Sequence, residues 1–221
     1  MKNAETPRVK VVLYGAMSSL GSALMAEMLR RQHEVIAILD DLTALAPRPG
    51  LRTKTGDLFD PLRVKQSVAG CSAVVCLLDA PGLPFNSEHV EKTIVPGPVE
   101  QVLAVDALID GMQAAGVSRL FVVGDFDVLD DPDQEDQLQR HAADEILEAL
   151  QTSTLQWTLV NAPRGVPGLT IEHFSHVSSS LEPGLKEPLE RLNRVAVGIA
   201  DELQLNLHVA EHVNFVAASG P

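Results

Sequence analysis

Short apolar segments alternate with amphipathic ones along most of the chain. The apolar runs have the length of buried strands and end at Gly, Asp or Pro. The segments between them repeat apolar residues every three to four positions, which is typical of helices packed on one face. This pattern predicts six strands, at residues 9–14, 35–39, 51–55, 73–78, 119–123 and 156–160. It also predicts four helices, at residues 19–31, 60–70, 99–115 and 137–150.

The order of these elements predicts the fold class. Strands alternating with helices at this spacing form right-handed crossover units, so the sheet should be parallel, with helices on both faces. We expect an α/β, doubly wound domain of the Rossmann type with a small C-terminal elaboration. Its core should span residues 8–163. Residues 164–221, with a helix near 189–203 and a last strand at 214–217, should form a substrate or lid portion.

Composition narrows the classes of function. The 221 residues are 45% hydrophobic and carry a formal net charge of −13. An acidic protein of this kind binds nucleic acid and anionic membrane surfaces poorly, so we expect neither as a partner. Cys71 and Cys76 are expected to be reduced packing residues. No apolar run approaches transmembrane length, and the expected location is the cytoplasm.

The segment from Val9 to Gly21 carries the clearest candidate chemistry. A buried strand runs through Gly15 into a helix that contains Gly21, with Ser18 between them. Backbone N–H groups at such a helix N-terminus bind the pyrophosphate of a dinucleotide. Ser18 adds a Cβ where the backbone should approach the pyrophosphate most closely, although its hydroxyl can donate to phosphate. The alternative is a strand–helix turn that binds no nucleotide.

An acidic residue after the second predicted strand supports the nucleotide interpretation. Asp40 comes nineteen residues after Gly21, at the end of the second strand. A carboxylate there accepts hydrogen bonds from the ribose of NAD and repels the additional phosphate of NADP. We therefore expect NAD rather than NADP. The alternative is that Asp40 and Asp41 form only a solvated turn.

Several motifs together resemble one family, the atypical short-chain dehydrogenases that include NmrA-like proteins and NADH-flavin reductases. Its Gly-Ala-Thr-Gly-x-x-Gly motif is met at residues 15–21, with departures at Met17 and Ser18. The other segments similar to the family are residues 32–37, 56–58, 115–124, 153–158 and 196–203. The resemblance implies NAD(P) binding. The expected cofactor contacts are Gly15, Met17, Ser18, Ser19, Leu20, Gly21, Asp40, Asp57, Leu58, Leu78 and Gly124.

The catalytic pair of many short-chain dehydrogenases has no counterpart in this sequence. That pair, Tyr-x-x-x-Lys, uses lysine to lower the tyrosine pKa so that the phenol acts as acid or base. The single tyrosine, Tyr14, lies in the first predicted strand, and no lysine occurs between Lys92 and Lys186. His141, on the helix that carries the lysine in relatives, is the one candidate replacement.

Other polar clusters have a simpler interpretation. His208 and His212 fit a His-x-x-Glu-His zinc motif, but only nine residues follow, so a third ligand is missing and we predict no metal. Seven carboxylates between residues 125 and 136 suggest a solvated loop more than a cation site. His173, His176 and residues 178–180 lie in a polar stretch that is expected to cap the pocket.

Two functions follow from these observations. The first is an NAD(H)-binding oxidoreductase that passes hydride to a small-molecule acceptor such as a flavin or a quinone, since the cofactor carries the reactive centre. The second is a non-catalytic dinucleotide sensor or scaffold, as in NmrA-like regulators, with weak or lost cofactor binding. The sequence leaves both open, together with the oligomeric state.

Overall fold

A computed structural model describes residues 8–81, 83, 95–130, 136–163, 165–175 and 184–215. Seven strands form one sheet: β1 Lys10–Tyr14, β2 Glu34–Ile38, β3 Leu51–Lys54, β4 Ala73–Leu77, β5 Arg119–Gly124, β6 Gln156–Asn161 and β7 Glu211–Asn214. The helices are α1 Ser19–Arg30, α2 Pro61–Val68, α3 Pro98–Ala115, α4 Asp127–Asp130, α5 Gln137–Thr152, α6 Ile171–Ser175 and α7 Lys186–Leu205. The predicted α/β fold class is confirmed.

The sheet has the order β3-β2-β1-β4-β5-β6-β7, and every neighbouring pair is parallel. The chain therefore leaves β1 in one direction for β2 and β3, and returns to the other side of β1 for β4. Loops diverge at such a reversal and leave a crevice at the carboxyl ends of β1 and β4, which is where ligands of open α/β sheets bind.

Aliphatic side chains make the core. The central strands β1 and β4 are buried almost throughout, as expected for a sheet covered on both faces. Helices α2, α3 and α5 pack together on one face, and α1, α6 and α7 on the other. Local sequence sets several ends: Asp60 caps α2 ahead of Pro61, and Gly116 ends α3 in the left-handed conformation.

Two ion-pair networks hold α7 in place, and the first joins it to α1. Glu27 is only 4% exposed and accepts hydrogen bonds from Arg30 and Arg31, while Arg31 also reaches Asp201 of α7 at 2.7 Å. Burial by itself raises the pKa of Glu27, but the two arginines outweigh it and hold that pKa below its ordinary value. The buried carboxylate is thus retained because it is paired.

The second ion-pair network is buried and joins Arg119 of β5 to Glu202 of α7. The Arg119 guanidinium donates to Gln156 O and Thr158 Oγ1, stacks 4.0 Å from the Phe121 ring centroid, and lies 3.7 Å from Glu202 Oε2. Glu202 in turn accepts from the backbone and the ring of His208. Burial lowers the pKa of Arg119 to about 10, although Glu202 opposes this. The network ties β5 and β6 to the C-terminal helix.

The C-terminal part differs in detail from the sequence prediction. The last strand lies earlier than predicted for residues 214–217: β7 spans Glu211–Asn214 and pairs with β6, and Phe215 is not part of it. Residues 216 and 217 lie outside the described residues. Phe215 instead packs against Gly198 of α7, so its apolar character serves helix packing rather than a strand. The short helices α4 and α6 were not predicted, because four or five residues are too few for a periodic pattern.

Candidate functional site

The turn between β1 and α1 has the geometry that the sequence predicts. Gly15 has φ +86°, and a Cβ at this position would lie 2.6 Å from Ala80 Cβ. A Cβ on Gly21 would lie 2.3 Å from Gly15 O, so this glycine lets the helix start directly against the turn. Both glycines therefore shape the turn by close backbone packing.

Ser18 is the N-cap of α1, and its side chain is engaged within the turn. Its Oγ accepts a hydrogen bond from Gly21 N at 3.0 Å and donates one to Gly15 O at 2.8 Å. The suggestion that the hydroxyl donates to a phosphate is therefore not supported by this arrangement, since its single proton is used by Gly15. The helix still has N–H groups in its first turn without an intrahelical partner.

Removing the Ser18 cap should destabilise the fold measurably. We expect Ser18→Ala to lower the free energy of unfolding by about 1 kcal/mol, because Gly21 N–H loses its acceptor. Urea denaturation followed by circular dichroism measures this change. Ser18→Thr is the matched control and should retain most of the stability. Equal midpoints for Ser18→Ala and the unmodified protein would contradict the capping role.

A cavity of about 300 Å³ lies at the carboxyl ends of β1, β4, β5 and β6, beside the start of α1. Most of its lining side chains are apolar, and the polar ones are Ser18, Ser19 and Asp79. Five predicted cofactor contacts line it: Met17, Ser18, Ser19, Leu20 and Gly124. A small, mostly apolar cavity with a few polar groups is typical of a ligand pocket.

The segment after β6 forms one wall of this cavity. A substrate or lid portion was expected from residue 164 onward, but no residue of this wall was named individually as a contact. Pro163 and residues 165–169 line the cavity, and Val166 N donates to Ser19 Oγ at 3.0 Å. The signal in the sequence is the run of prolines and glycines immediately after a buried strand. This bond joins the C-terminal half of the chain to the β1–α1 turn.

Asp79 is a second residue that the sequence analysis did not single out. It follows β4, and its carboxylate accepts from Gln101 Nε2 at 3.0 Å and from Asp125 N at 2.6 Å. Gln101 is 5% exposed and also donates to Pro96 O. These bonds fix the loops that follow β4 and β5 at the rim of the cavity. A carboxylate directly after a buried strand was the available signal.

A separate cavity of about 370 Å³ lies beyond β2 and β3. It brings together Asp40 and Asp57, the two carboxylates predicted to contact the adenosine part of a dinucleotide. Lys54 and Arg63 also line this cavity. They were not predicted, because they lie on β3 and α2 and share a cavity with Asp40 only after the chain has folded. Lys54 donates to Gln66 O at 2.6 Å. The cavity therefore contains charges of both signs.

Five predicted site residues do not line these cavities: Gly15, Gly21, Leu58, Leu78 and His141. Leu58 and Leu78 are both 0% exposed, so each is a core residue whose side chain has no free surface for a ligand. His141, the candidate acid or base, lies on α5 with its side chain 73% exposed and 3.5 Å from Glu145. Neither cavity is lined by it.

The remaining clusters are used locally. His208 binds Glu202, and His212, in β7, lies 3.5 Å from Asp130. His173 Nδ1 accepts from Thr170 N at 3.1 Å. Cys71 and Cys76 are both free thiols, as predicted. Residues 131–135 of the acidic loop, residues 176–180 and most of the loop 79–98 lie outside the described residues.

Comparison with solved structures supports the fold assignment. A Veillonella parvula short-chain dehydrogenase/reductase in complex with NADP has a TM-score of 0.63, is 11% identical, and covers 94% of each chain. The Bordetella bronchiseptica enzyme WbmH in complex with NAD⁺ has a TM-score of 0.59 and is 16% identical, over 95% of this chain and 76% of its own. A Burkholderia pseudomallei protein provisionally named as exported has a TM-score of 0.63 and is 19% identical. The match covers 93% of this chain and 98% of the Burkholderia chain.

No curated protein matches the chain by sequence. Across the described part of the chain, every helix is too short or too polar to span a bilayer.

A family model described as NAD(P)H-binding matches residues 15–170, which include the β1–α1 turn, both cavities and β6. This match covers most of the chain and agrees with the sequence resemblance to atypical short-chain dehydrogenases. The protein therefore belongs to the NAD(P)H-binding family of Rossmann-fold proteins.

Proposed function

We propose that this protein is an NADH-dependent oxidoreductase that reduces a flavin or quinone acceptor in the cytoplasm. The observation that carries the proposal is the apolar cavity of about 300 Å³ at the N-terminus of α1. A planar, largely apolar ring is the kind of group that such a cavity favours. The acidic residues Asp40 and Asp57, in the cavity beyond β2, supply a binding surface for the adenosine ribose.

The residues around α1 fit a dinucleotide. Gly15 and Gly21 let α1 start directly against the turn, and the N–H groups of Ser19 and Leu20, in the first turn of α1, are those that would bind a pyrophosphate. Ser19 Oγ accepts from Val166 N, so its own proton remains able to donate to a phosphate oxygen. Asp57 Oδ1 accepts from Phe59 N, which orients its carboxylate beside the second cavity.

The chemistry needs little from the protein beyond binding and exclusion of water. NADH, when bound, supplies hydride to the acceptor, and one proton from solvent completes the two-electron reduction. Tyr14, the only tyrosine, is 0% exposed in β1, and burial raises the pKa of its phenol well above the ordinary value. It is therefore unsuited to proton transfer, which favours acceptors that take hydride directly.

A non-catalytic sensor or scaffold is the second candidate, and Ser18 favours it. Its hydroxyl consumes the Gly21 N–H, so one fewer helix donor is available to a pyrophosphate. Weakened dinucleotide binding would suit a protein that reports the cofactor rather than turning it over.

Titration with NADH separates the two candidates. The oxidoreductase proposal expects enhanced nicotinamide fluorescence on binding, and NADH consumption when riboflavin or menadione is added. Binding without consumption would favour the sensor. If NADH fluorescence does not change at any protein concentration, both the enzyme and the sensor proposals are contradicted.

We also expect negligible NAD-dependent oxidation of simple alcohols or sugars. Removing a proton from a hydroxyl requires a base at the pocket, and His141 is exposed on α5 instead. His141→Ala should leave NADH-dependent acceptor reduction within a few-fold of the unmodified protein, since a general acid contributes about 10²-fold only where protonation limits the rate. Rapid oxidation of a secondary alcohol that is lost in His141→Ala would contradict this prediction.

A further inference from the structure

A small polar cavity of about 120 Å³ adjoins the cavity at the N-terminus of α1. Ala162 and Pro163 line both cavities, so the two cavities lie next to each other. Its remaining lining residues are Asp127, Asn161, Arg191 and Asn214. It lies at the carboxyl ends of β6 and β7, because Asn161 and Asn214 are the last residues of those strands and pair with each other.

Asn161 holds the carboxylate of Asp127 in this cavity. Asn161 is 3% exposed, its Oδ1 accepts from Phe126 N at 3.0 Å, and its Nδ2 donates to Asp127 Oδ1 at 2.5 Å. Both ends of the amide are therefore used within the protein. A carboxylate can accept about four hydrogen bonds, so Asp127 retains acceptor capacity on the cavity side.

Arg191 supplies the opposite charge from α7. Its side chain is exposed, and within the described ranges it makes no hydrogen bond or ion pair. The cavity therefore presents a strong donor and a strong acceptor to the same ligand group. A simple anion would be repelled by Asp127, and a simple cation by Arg191.

We propose that this cavity binds the imide edge of a flavin, where two carbonyl groups flank an N–H. Arg191 would donate to an imide carbonyl and Asp127 would accept the imide N–H, while the rest of the ring system extends past Pro163 into the apolar cavity. The volume of about 120 Å³ equals that of about four waters, which suits the edge of a ring rather than a whole flavin. A quinone carries carbonyl oxygens without an N–H, so Asp127 discriminates against it.

This assignment rests on the proposed function, and it names flavin over quinone as the acceptor. It identifies Arg191 and Asp127 as residues that determine specificity. They act through contact with the acceptor, at a distance from the residues proposed to bind the adenosine part of NADH.

Direct binding of two flavins tests the assignment. Riboflavin and N3-methylriboflavin differ only at N3, where a methyl group replaces the imide hydrogen. Quenching of their fluorescence measures affinity with or without NAD⁺. The unmodified protein should bind riboflavin about ten-fold more tightly than its N3-methyl analogue. Asp127→Asn should reduce that ratio, because an amide oxygen is a weaker acceptor than a carboxylate.

Arg191→Gln should lower the affinity for both flavins by a similar factor of about ten, because both flavins retain the carbonyl groups. Arg194→Gln, an exposed arginine on the same helix outside the cavity, should change neither affinity. Circular dichroism confirms folding of each variant.

Absence of riboflavin binding to the unmodified protein, or an unchanged affinity ratio in Asp127→Asn, would overturn the assignment. Failure of the proposed function is distinguishable, since it is a failure to bind NADH or to consume it. Flavin binding with the expected ratio but without NADH turnover would support the imide site and contradict the oxidoreductase.

Discussion

Replacing Asp40 by arginine should reverse the cofactor preference of this protein. The unmodified protein is expected to bind NADH about ten-fold more tightly than NADPH, because the Asp40 carboxylate lines the cavity proposed for the adenosine ribose. The Asp40 carboxylate repels the additional phosphate of NADPH. Asp40→Arg removes that repulsion and adds a hydrogen-bond donor for the phosphate. Calorimetric titration with each reduced cofactor measures the two affinities.

Two further variants make this experiment specific. Asp41→Asn is the matched control, since Asp41 is outside the cavity and accepts from Thr43 N at 2.8 Å. It should leave the preference unchanged. Lys54→Gln should widen the preference for NADH, because Lys54 is one of two cations beside Asp40. Equal affinity of the unmodified protein for NADH and NADPH would contradict the role of Asp40.

Removing Glu202 should have the largest effect on stability. We expect Glu202→Ala to lower the free energy of unfolding by about 3 kcal/mol or more, because it leaves the Arg119 guanidinium buried without its counter-charge. His208 also loses the acceptor of its backbone N–H. Thermal and urea denaturation measure the loss.

The control lies on the same helix. Glu187→Ala replaces an exposed carboxylate in the first turn of α7 and should change stability by at most about 0.5 kcal/mol. The double variant Arg119→Met, Glu202→Leu should recover much of the stability lost in Glu202→Ala, since buried ion pairs can be replaced by apolar residues. A midpoint for Glu202→Ala equal to that of Glu187→Ala would show that Arg119 does not need the pair.

Local patterns predict this fold well where one segment determines its own structure. The β1–α1 turn follows from Gly15 and Gly21, and the start of α2 follows from Asp60 and Pro61. The last strand was misplaced because Phe215 belongs to an apolar run, while its packing partner, Gly198, lies on a helix seventeen residues earlier. An edge strand such as β7 needs little burial of its own and gives a weak pattern.

The candidate site was predictable only in part, for the same reason. Residues at or just after the ends of strands, such as Gly124 and Asp40, could be placed at the carboxyl edge from the order of elements. Lys54, Arg63 and Arg191 reach the cavities through packing between distant elements, which no local spacing encodes. Leu78 was expected at the site from the family resemblance, yet its side chain is buried in the core, because neighbouring residues of extended chain alternate in direction.

The cap made by Ser18 has a consequence for the energetics of ligand exchange. Because Ser18 closes the turn with its own side chain, the protein itself fixes the conformation at the start of α1. A dinucleotide that binds there spends none of its interaction energy on ordering this backbone, and its departure leaves no loop to refold. For the proposed oxidoreductase, such preorganisation favours rapid exchange of reduced for oxidised cofactor.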